Sequence, residues 1–250
     1  MRNHFPATSF IVYRSRIWKS VHGQETLKSM WEWIMINPNK KDKGINEKMK
    51  HIILASSSPR RKELLEQIGI GFEVRTSGAE EVTQATESED IAQELSKIKA
   101  QAVWATLTDE EKEMSVVLGA DTIVCVRTSE MKNAKEASEF CILGKPKDEE
   151  DAARMLHLLS GHTHQVFTGV TLIAKEETKT FYECTDVHVA SLSDKEIADY
   201  VATKESMDKA GAYGIQGIFA KHIIGIEGSY SNVMGLPVCS VYRELKSFLE

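Results

Sequence analysis

The stretch His51-Ile52-Ile53-Leu54-Ala55-Ser56-Ser57-Ser58-Pro59-Arg60-Arg61 opens the organised part of the chain. His51–Ala55 is a short apolar run and reads as a buried strand. Three small hydroxyl residues follow. Ser58 suits a helix N-cap, and Pro59 suits the first helical position, where no N–H is needed. Leu64, Leu65 and Ile68 then recur on one helical face, and Gly69 supplies a stop. A strand therefore hands over directly to a helix. The rest of the chain repeats that alternation.

Phe72–Arg75 reads as a second strand and Ile91–Trp104 as a helix. Val116–Leu118 and Thr122–Val126 read as buried strand interrupted by Gly119-Ala120-Asp121. Asp148 caps a helix carrying Ala152, Met155, Leu156 and Leu159, which Gly161 closes. Gln165–Ala174 and Thr180–Ala190 are β-rich runs expected to pair. Ser193 or Asp194 starts a helix to about Ala202, Ile218–Ile226 is a last strand, and Pro237 opens the C-terminal helix. The expected fold class is α/β, a mixed sheet flanked by helices.

The chain has 250 residues, enough to bury a sizeable core, and a net charge of −6. That charge argues against broad nucleic-acid binding. No apolar run is long enough to span a membrane. Cys125, Cys141, Cys184 and Cys239 form no C-x-x-C pair, which suits reduced thiols in a cytoplasmic protein. Residues 1–48 stand apart, with nine Lys/Arg against four Asp/Glu and three of the four tryptophans. They read as a poorly ordered N-terminal extension to a domain spanning 49–250. Their early arginines are weakly like an organellar transit peptide.

Three elements carry chemistry. At the strand-to-helix step, the unpaired N–H groups and the positive dipole end of the helix favour phosphate. Arg60 and Arg61 add forked donors matched to phosphate oxygens. A plain capped helix with two solvated arginines accounts for the composition equally well. The second element is Asp121, a single carboxylate in an apolar run. Such a group is costly to bury unless paired or metal-bound, so it is a candidate general base or metal ligand. Gly119 and Ala120 leave room beside it for a ligand or a neighbouring backbone. The third element is scattered: Glu80 and Glu81, Lys99, Gly144-Lys145-Pro146, and Asp208–Gly217 with three glycines in ten residues.

Ser56-Ser57-Ser58-Pro59-Arg60-Arg61, Gly119-Ala120-Asp121-Thr122, Lys145-Pro146 and Asp208-Lys209-Ala210-Gly211-Ala212-Tyr213-Gly214-Ile215-Gln216-Gly217 resemble, in order, the signature blocks of the Maf family of nucleoside triphosphate pyrophosphatases. The resemblance runs from about Lys50 to the C-terminus. It implies a fold similar to that of inosine triphosphate pyrophosphatase, with two lobes around a cleft. It implies that Asp121 is catalytic, that Glu81 is a second carboxylate holding Mg²⁺ or Mn²⁺ with it, and that Ser56, Arg61, Lys99 and Lys145 hold phosphates. Arg60, Thr122 and Gln216 would distinguish bases. The Ser-Pro-Arg-Arg and Gly-Ile-Gln-Gly forms are similar to the subgroup acting on dTTP and UTP. The resemblance also implies a homodimer. The stretch from Arg127 to Cys141 is longer than usual for the family and reads as a surface hairpin. A non-catalytic regulator of septum formation is the alternative. A P-loop enzyme is not, since no G-x-x-x-x-G-K-[ST] sequence occurs.

Overall fold

The computed structural model describes residues 50–76, 78–127 and 140–249. The expectations for residues 1–48, and for the hairpin over 128–139, lie outside them. Strand β1 (His51–Leu54) leads into helix α1 (Pro59–Gln67), then β2 (Glu73–Val74), α2 (Ser88–Trp104), the short α3 (Asp109–Glu113), β3 (Ser115–Arg127) and β4 (Phe140–Leu143). Then follow α4 (Glu149–Leu159), β5 (Thr163–Ile173), β6 (Thr178–Val189), α5 (Asp194–Ala202), two 3₁₀ turns, β7 (Ile223–Glu227), α6 (Tyr230–Met234) and α7 (Val238–Leu249).

The sheet runs β2-β1-β3-β5-β6-β7. Strand β1 is parallel to β2 and β3, and the remaining pairs are antiparallel. The expected mixed α/β sheet is present. Two strand neighbours share one edge of β3. Strand β1 covers Ser115–Leu118, and β4 covers Val124–Arg127 antiparallel. Residues 119–123 have no strand partner on that edge among the described residues. On the other edge β5 pairs without a break from Val117 to Cys125.

That continuous pairing corrects the reading of β3 as two strands. Gly119-Ala120-Asp121 is strand backbone, so Asp121 lies in mid-strand. Glycine is a weak strand former, but the β5 ladder holds it extended. Ile218–His222, expected as strand, is a 3₁₀ turn, because Phe219 and His222 bury the same side three residues apart. The second strand is shorter than Phe72–Arg75, and α2 begins earlier, at Ser88. Ser58 occupies the N-cap of α1 without a capping side-chain bond; its N–H donates to Ser56 Oγ instead (3.2 Å). The caps at Asp148 and Ser193 form as expected, each accepting from a backbone N–H in the first turn.

Helix α2 packs against the sheet unusually closely. A Cβ at Gly119 would overlap the Ser96 carbonyl and Ala100, and one at Gly169 of β5 would overlap the Ala92 carbonyl. Ala92, Ser96 and Ala100 lie along the buried face of α2, so small residues meet glycines on both sides. Of the two occupants that Gly119 left open, the structure places the neighbouring backbone there.

Two larger cores form on the opposite face of the sheet. One joins α4, α5 and the 3₁₀ turns through Leu156, Tyr200 and Phe219. The other joins β1, α1 and α7 through Leu54, Leu65 and Leu245. Among the described residues no helix is long and apolar enough to cross a membrane.

Candidate active site

Strand alternation puts Asp121 and Thr122 on opposite faces of β3. Asp121 faces α2, on which Lys99 lies one turn beyond the Ser96 contact. Lys99 Nζ donates to Asp121 Oδ1 (2.5 Å) and pairs with Glu81 Oε2 (3.0 Å). Asp121 and Lys99 are mostly buried, and Glu81 is half exposed. One ammonium thus bridges two carboxylates that are 40 residues apart.

Thr122 faces the other way, toward α1. Arg61 is buried there, 8% exposed. Its three nitrogens donate to Gly235 O (2.8 Å), Ser56 Oγ (3.1 Å) and Thr122 Oγ1 (3.1 Å). These acceptors are neutral. Burial is the main influence on the guanidinium and pulls its pKa below the ordinary value, while Asp121 acts against that. A buried cation held by neutral oxygens has unspent affinity for an anion.

Thr122 Oγ1 lies 3.0 Å from Thr168 Oγ1, which donates to Asn232 O (3.1 Å). Asn232 is fully buried and donates to Val166 O (3.0 Å) and Thr185 Oγ1 (2.9 Å). Residues 229–236 therefore complete the Arg61 environment. Sequence reasoning passed them over. Five-residue α6 shows no periodicity, and only the Ser229 cap and Gly235 hint at it.

Arg60 points across the cleft. Its Nη1 donates to Asp208 Oδ2 (3.1 Å), and Lys209 Nζ donates to Asp208 Oδ1 (2.6 Å). Burial pushes the Asp208 carboxyl up, but the bonds from Lys209 and Arg60 outweigh it and leave the pKa below its ordinary value. The Gly144 carbonyl accepts from Gly211 N–H (3.1 Å), which ties the end of β4, and hence Lys145, to the glycine-rich turn. Gly211 has φ +69°, and its α-carbon abuts Val124, so no side chain fits.

These parts meet in one cleft of about 450 Å³ at the unpaired edge of β3. Ser56, Arg60, Arg61, Glu81, Lys99, Asp121, Thr122, Lys145 and Gln216 all line it. All nine residues to which the resemblance gave a role are there, whereas Glu80, Gly144 and Pro146, also marked in the sequence, are not among its lining residues. Thr76, Asp208, Lys209 and Met234 line it as well. Val124, Val166, Val233 and Met234 give the Thr122 side an apolar stretch beside the charges.

Among the described residues no three His, Cys, Asp or Glu side chains gather as a closed metal cage. Glu81 and Asp121 nevertheless each offer a hard oxygen to the same small cation, the Lys99 ammonium. Mg²⁺ is commonly held by one or two carboxylates together with substrate phosphates, so this donor set fits such an ion.

Residues 51–248 match the Maf-like protein family. A relative from Lachnoclostridium phytofermentans, named dTTP/UTP pyrophosphatase, is 46% identical over 205 residues, covering 80% of this chain and 96% of its own. Another of the same name from Bacillus cereus is 50% identical over 206 residues, covering 81% and 92%. Among solved structures, the Staphylococcus aureus Ham1 protein aligns over 80% of this chain and 98% of its own, with a TM-score of 0.43 and 15% identity. The match across nearly all of the described residues, with relatives this similar along almost their whole length, means that the chain belongs to the Maf-like family.

Proposed function

We propose that the chain hydrolyses nucleoside triphosphates, dTTP and UTP foremost, to the nucleoside monophosphate and pyrophosphate. The observation that carries this reading is the meeting of Lys99, Glu81 and Asp121 on one wall of a cleft whose other wall holds the buried Arg61. The names of the relatives supply the reaction and the bases.

The triphosphate brings about four negative charges into a protein that is itself acidic. Arg61, Lys145, Lys99 and the first turn of α1 neutralise them, and Ser56 adds a hydroxyl donor. A divalent cation, Mg²⁺ or Mn²⁺, held by Glu81 and Asp121, would neutralise further charge on the phosphates and polarise them. Asp121 orients a water toward the α-phosphorus. Its Oδ1 is engaged by Lys99, which leaves Oδ2 to take the water proton as the new P–O bond forms. The bond from the α-phosphorus to the bridging oxygen breaks, and that oxygen leaves on pyrophosphate. Lys99 and Lys145 stabilise the departing charge.

Gln216, with Arg60 and Thr122, reads the base. A glutamine amide donates and accepts at once, which suits the carbonyl and imino edge shared by thymine and uracil. Cytosine presents an amino group instead of a carbonyl. Once the base covers Gln216, a donor facing a donor costs about 1–3 kcal/mol. The four free thiols suit a cytoplasmic setting. A homodimer belongs to the proposal on resemblance alone.

The test is a panel of common nucleoside triphosphates with Mg²⁺ or Mn²⁺, following pyrophosphate and monophosphate release. Rapid release from dTTP and UTP is expected. Binding without turnover identifies a regulator. Release of orthophosphate, or a preference for ATP, GTP or 7-methyl-GTP, overturns the reading.

A further inference from the structure

We propose that Glu205, which lies outside the cleft, is a positioning residue for Gln216 and thereby sets base selectivity; this rests on the reading of Gln216 given above. The turn Gly214-Ile215-Gln216-Gly217-Ile218 is closed by Gly217 N–H donating to Gly214 O (3.1 Å). Gln216 is at the cleft, exposed, with no packing of its own to fix the backbone beneath it. Ile215 anchors the middle of the turn in the core, and one carboxylate ties down the chain next to Gln216.

Ile218 N–H donates to Glu205 Oε2 (3.0 Å), immediately after the turn. Tyr200 Oη donates to the other oxygen, Oε1 (3.0 Å), and the Gly214 backbone lies next to the same phenol. Glu205 therefore holds the chain directly after the turn, and through Tyr200 it reaches the side on which the turn begins. The carboxylate also occupies the space a side chain would take at Gly217, where any Cβ would overlap it. Glu205 is fixed in turn by Lys209 Nζ, which donates to its carbonyl (2.5 Å), and Lys209 continues through Asp208 to Arg60. Tyr200 is buried against Phe219, so the anchor is rigid. A glutamate with one oxygen on the backbone N–H that follows a substrate-facing turn and the other on a buried phenol is unlike a solvated surface acid. Its loss strips the acceptor from Ile218 N–H and the partner from Tyr200 at once.

The test uses the full chain carrying Glu205→Ala, Glu205→Gln, Tyr200→Phe and Gln216→Ala, and the Glu205→Ala/Gln216→Ala pair. kcat and KM are measured with dTTP and CTP, together with amide exchange of Gly214–Ile218 and the melting temperature. Glu205→Ala is expected to lower the dTTP-to-CTP ratio of kcat/KM about tenfold, through KM, and to speed exchange in the turn. The double variant should be no less selective than Gln216→Ala alone, because both remove the same interaction. Tyr200→Phe should shift the ratio in the same direction by less. If Glu205→Ala fails to fold, Glu205→Gln replaces it. It keeps one acceptor oxygen, and a smaller shift of the same sign is expected. An unchanged ratio in the folded Glu205 variants, with Gln216→Ala selective for neither base, overturns the proposal and leaves the reading of Gln216 standing. If Gln216→Ala keeps the wild-type ratio, the base reading fails and the proposal falls with it.

Discussion

Asp121 and Thr122 are adjacent in strand β3, face opposite sides of the sheet, and line the same cleft. Asp121 meets Lys99 of α2 on one side, and Thr122 meets Arg61 of α1 on the other. This works only because β1 and β4 leave the edge of β3 uncovered between them. A fully paired strand would bury its two faces in separate cores. Here one substrate can touch both.

Asp121→Asn should lose turnover by at least about 100-fold while the fold survives. The amide keeps the size of the side chain and removes the charge. Lys99 retains Glu81 as a partner, so no buried cation is left bare. Initial rates and circular dichroism of the purified variant check this. A folded variant with near wild-type rates would remove Asp121 from the mechanism.

Gly119→Ala should act at a distance. The added methyl overlaps the Ser96 carbonyl and Ala100, so α2 must lift from the sheet. Overpacking of this kind costs about 1–3 kcal/mol. Lys99 rides on the same helix, so its grip on Asp121 and Glu81 should loosen and turnover should fall with stability. Thermal melts and kcat are the measurements. A variant as stable and as active as wild type would mean that the close packing of α2 does not set the Lys99 geometry.

Much of this was legible because it is local. The serines and Pro59 at a strand-to-helix step, the caps at Asp148 and Ser193, and the isolation of Asp121 in an apolar run each follow from a few neighbouring residues. What was not legible is what the fold brings together over distance. Gly235 accepts from Arg61 across 174 positions, and nothing near either residue signals it. The continuity of β3 was obscured because Gly119 and Ala120 look like a break, and only the ladder to β5 overrides that propensity. The 3₁₀ turn at Ile218–His222 carries strand-like side chains, but Phe219 belongs to a core that pulls the backbone round.

A chain starting at Met49 should keep both activity and thermal stability. The family match begins at residue 51, and the relatives align over about 80% of this chain. Residues 1–48 also carry the opposite charge balance, a net of +5 against −6 for the whole. Purification, a melt and a dTTP assay suffice. Aggregation or inactivity of the shortened chain would make the extension part of the folded enzyme.

Acid should destabilise the fold through His164. Its ring is buried in β5, with Nε2 2.8 Å from Tyr213 Oη, and Nδ1 has no hydrogen-bond partner among the described residues. Protonating that nitrogen would place an unpaired N–H⁺ in the core. Burial, with a smaller contribution from His188, accordingly pushes the His164 pKa down to about 3 from 6.5. Between these values the unfolded chain binds a proton that the folded chain refuses. Stability is therefore fully present above about pH 6.5 and falls as pH drops toward 3, by at most about 1.4 kcal/mol per pH unit. His222 is shifted downward by burial too and adds to the same trend. In His164→Gln, which can still bond Tyr213 but does not titrate, the loss of melting temperature between pH 7.5 and pH 5 should be visibly smaller than in wild type. Equal losses in the two proteins would show that His164 is not the group that senses acid.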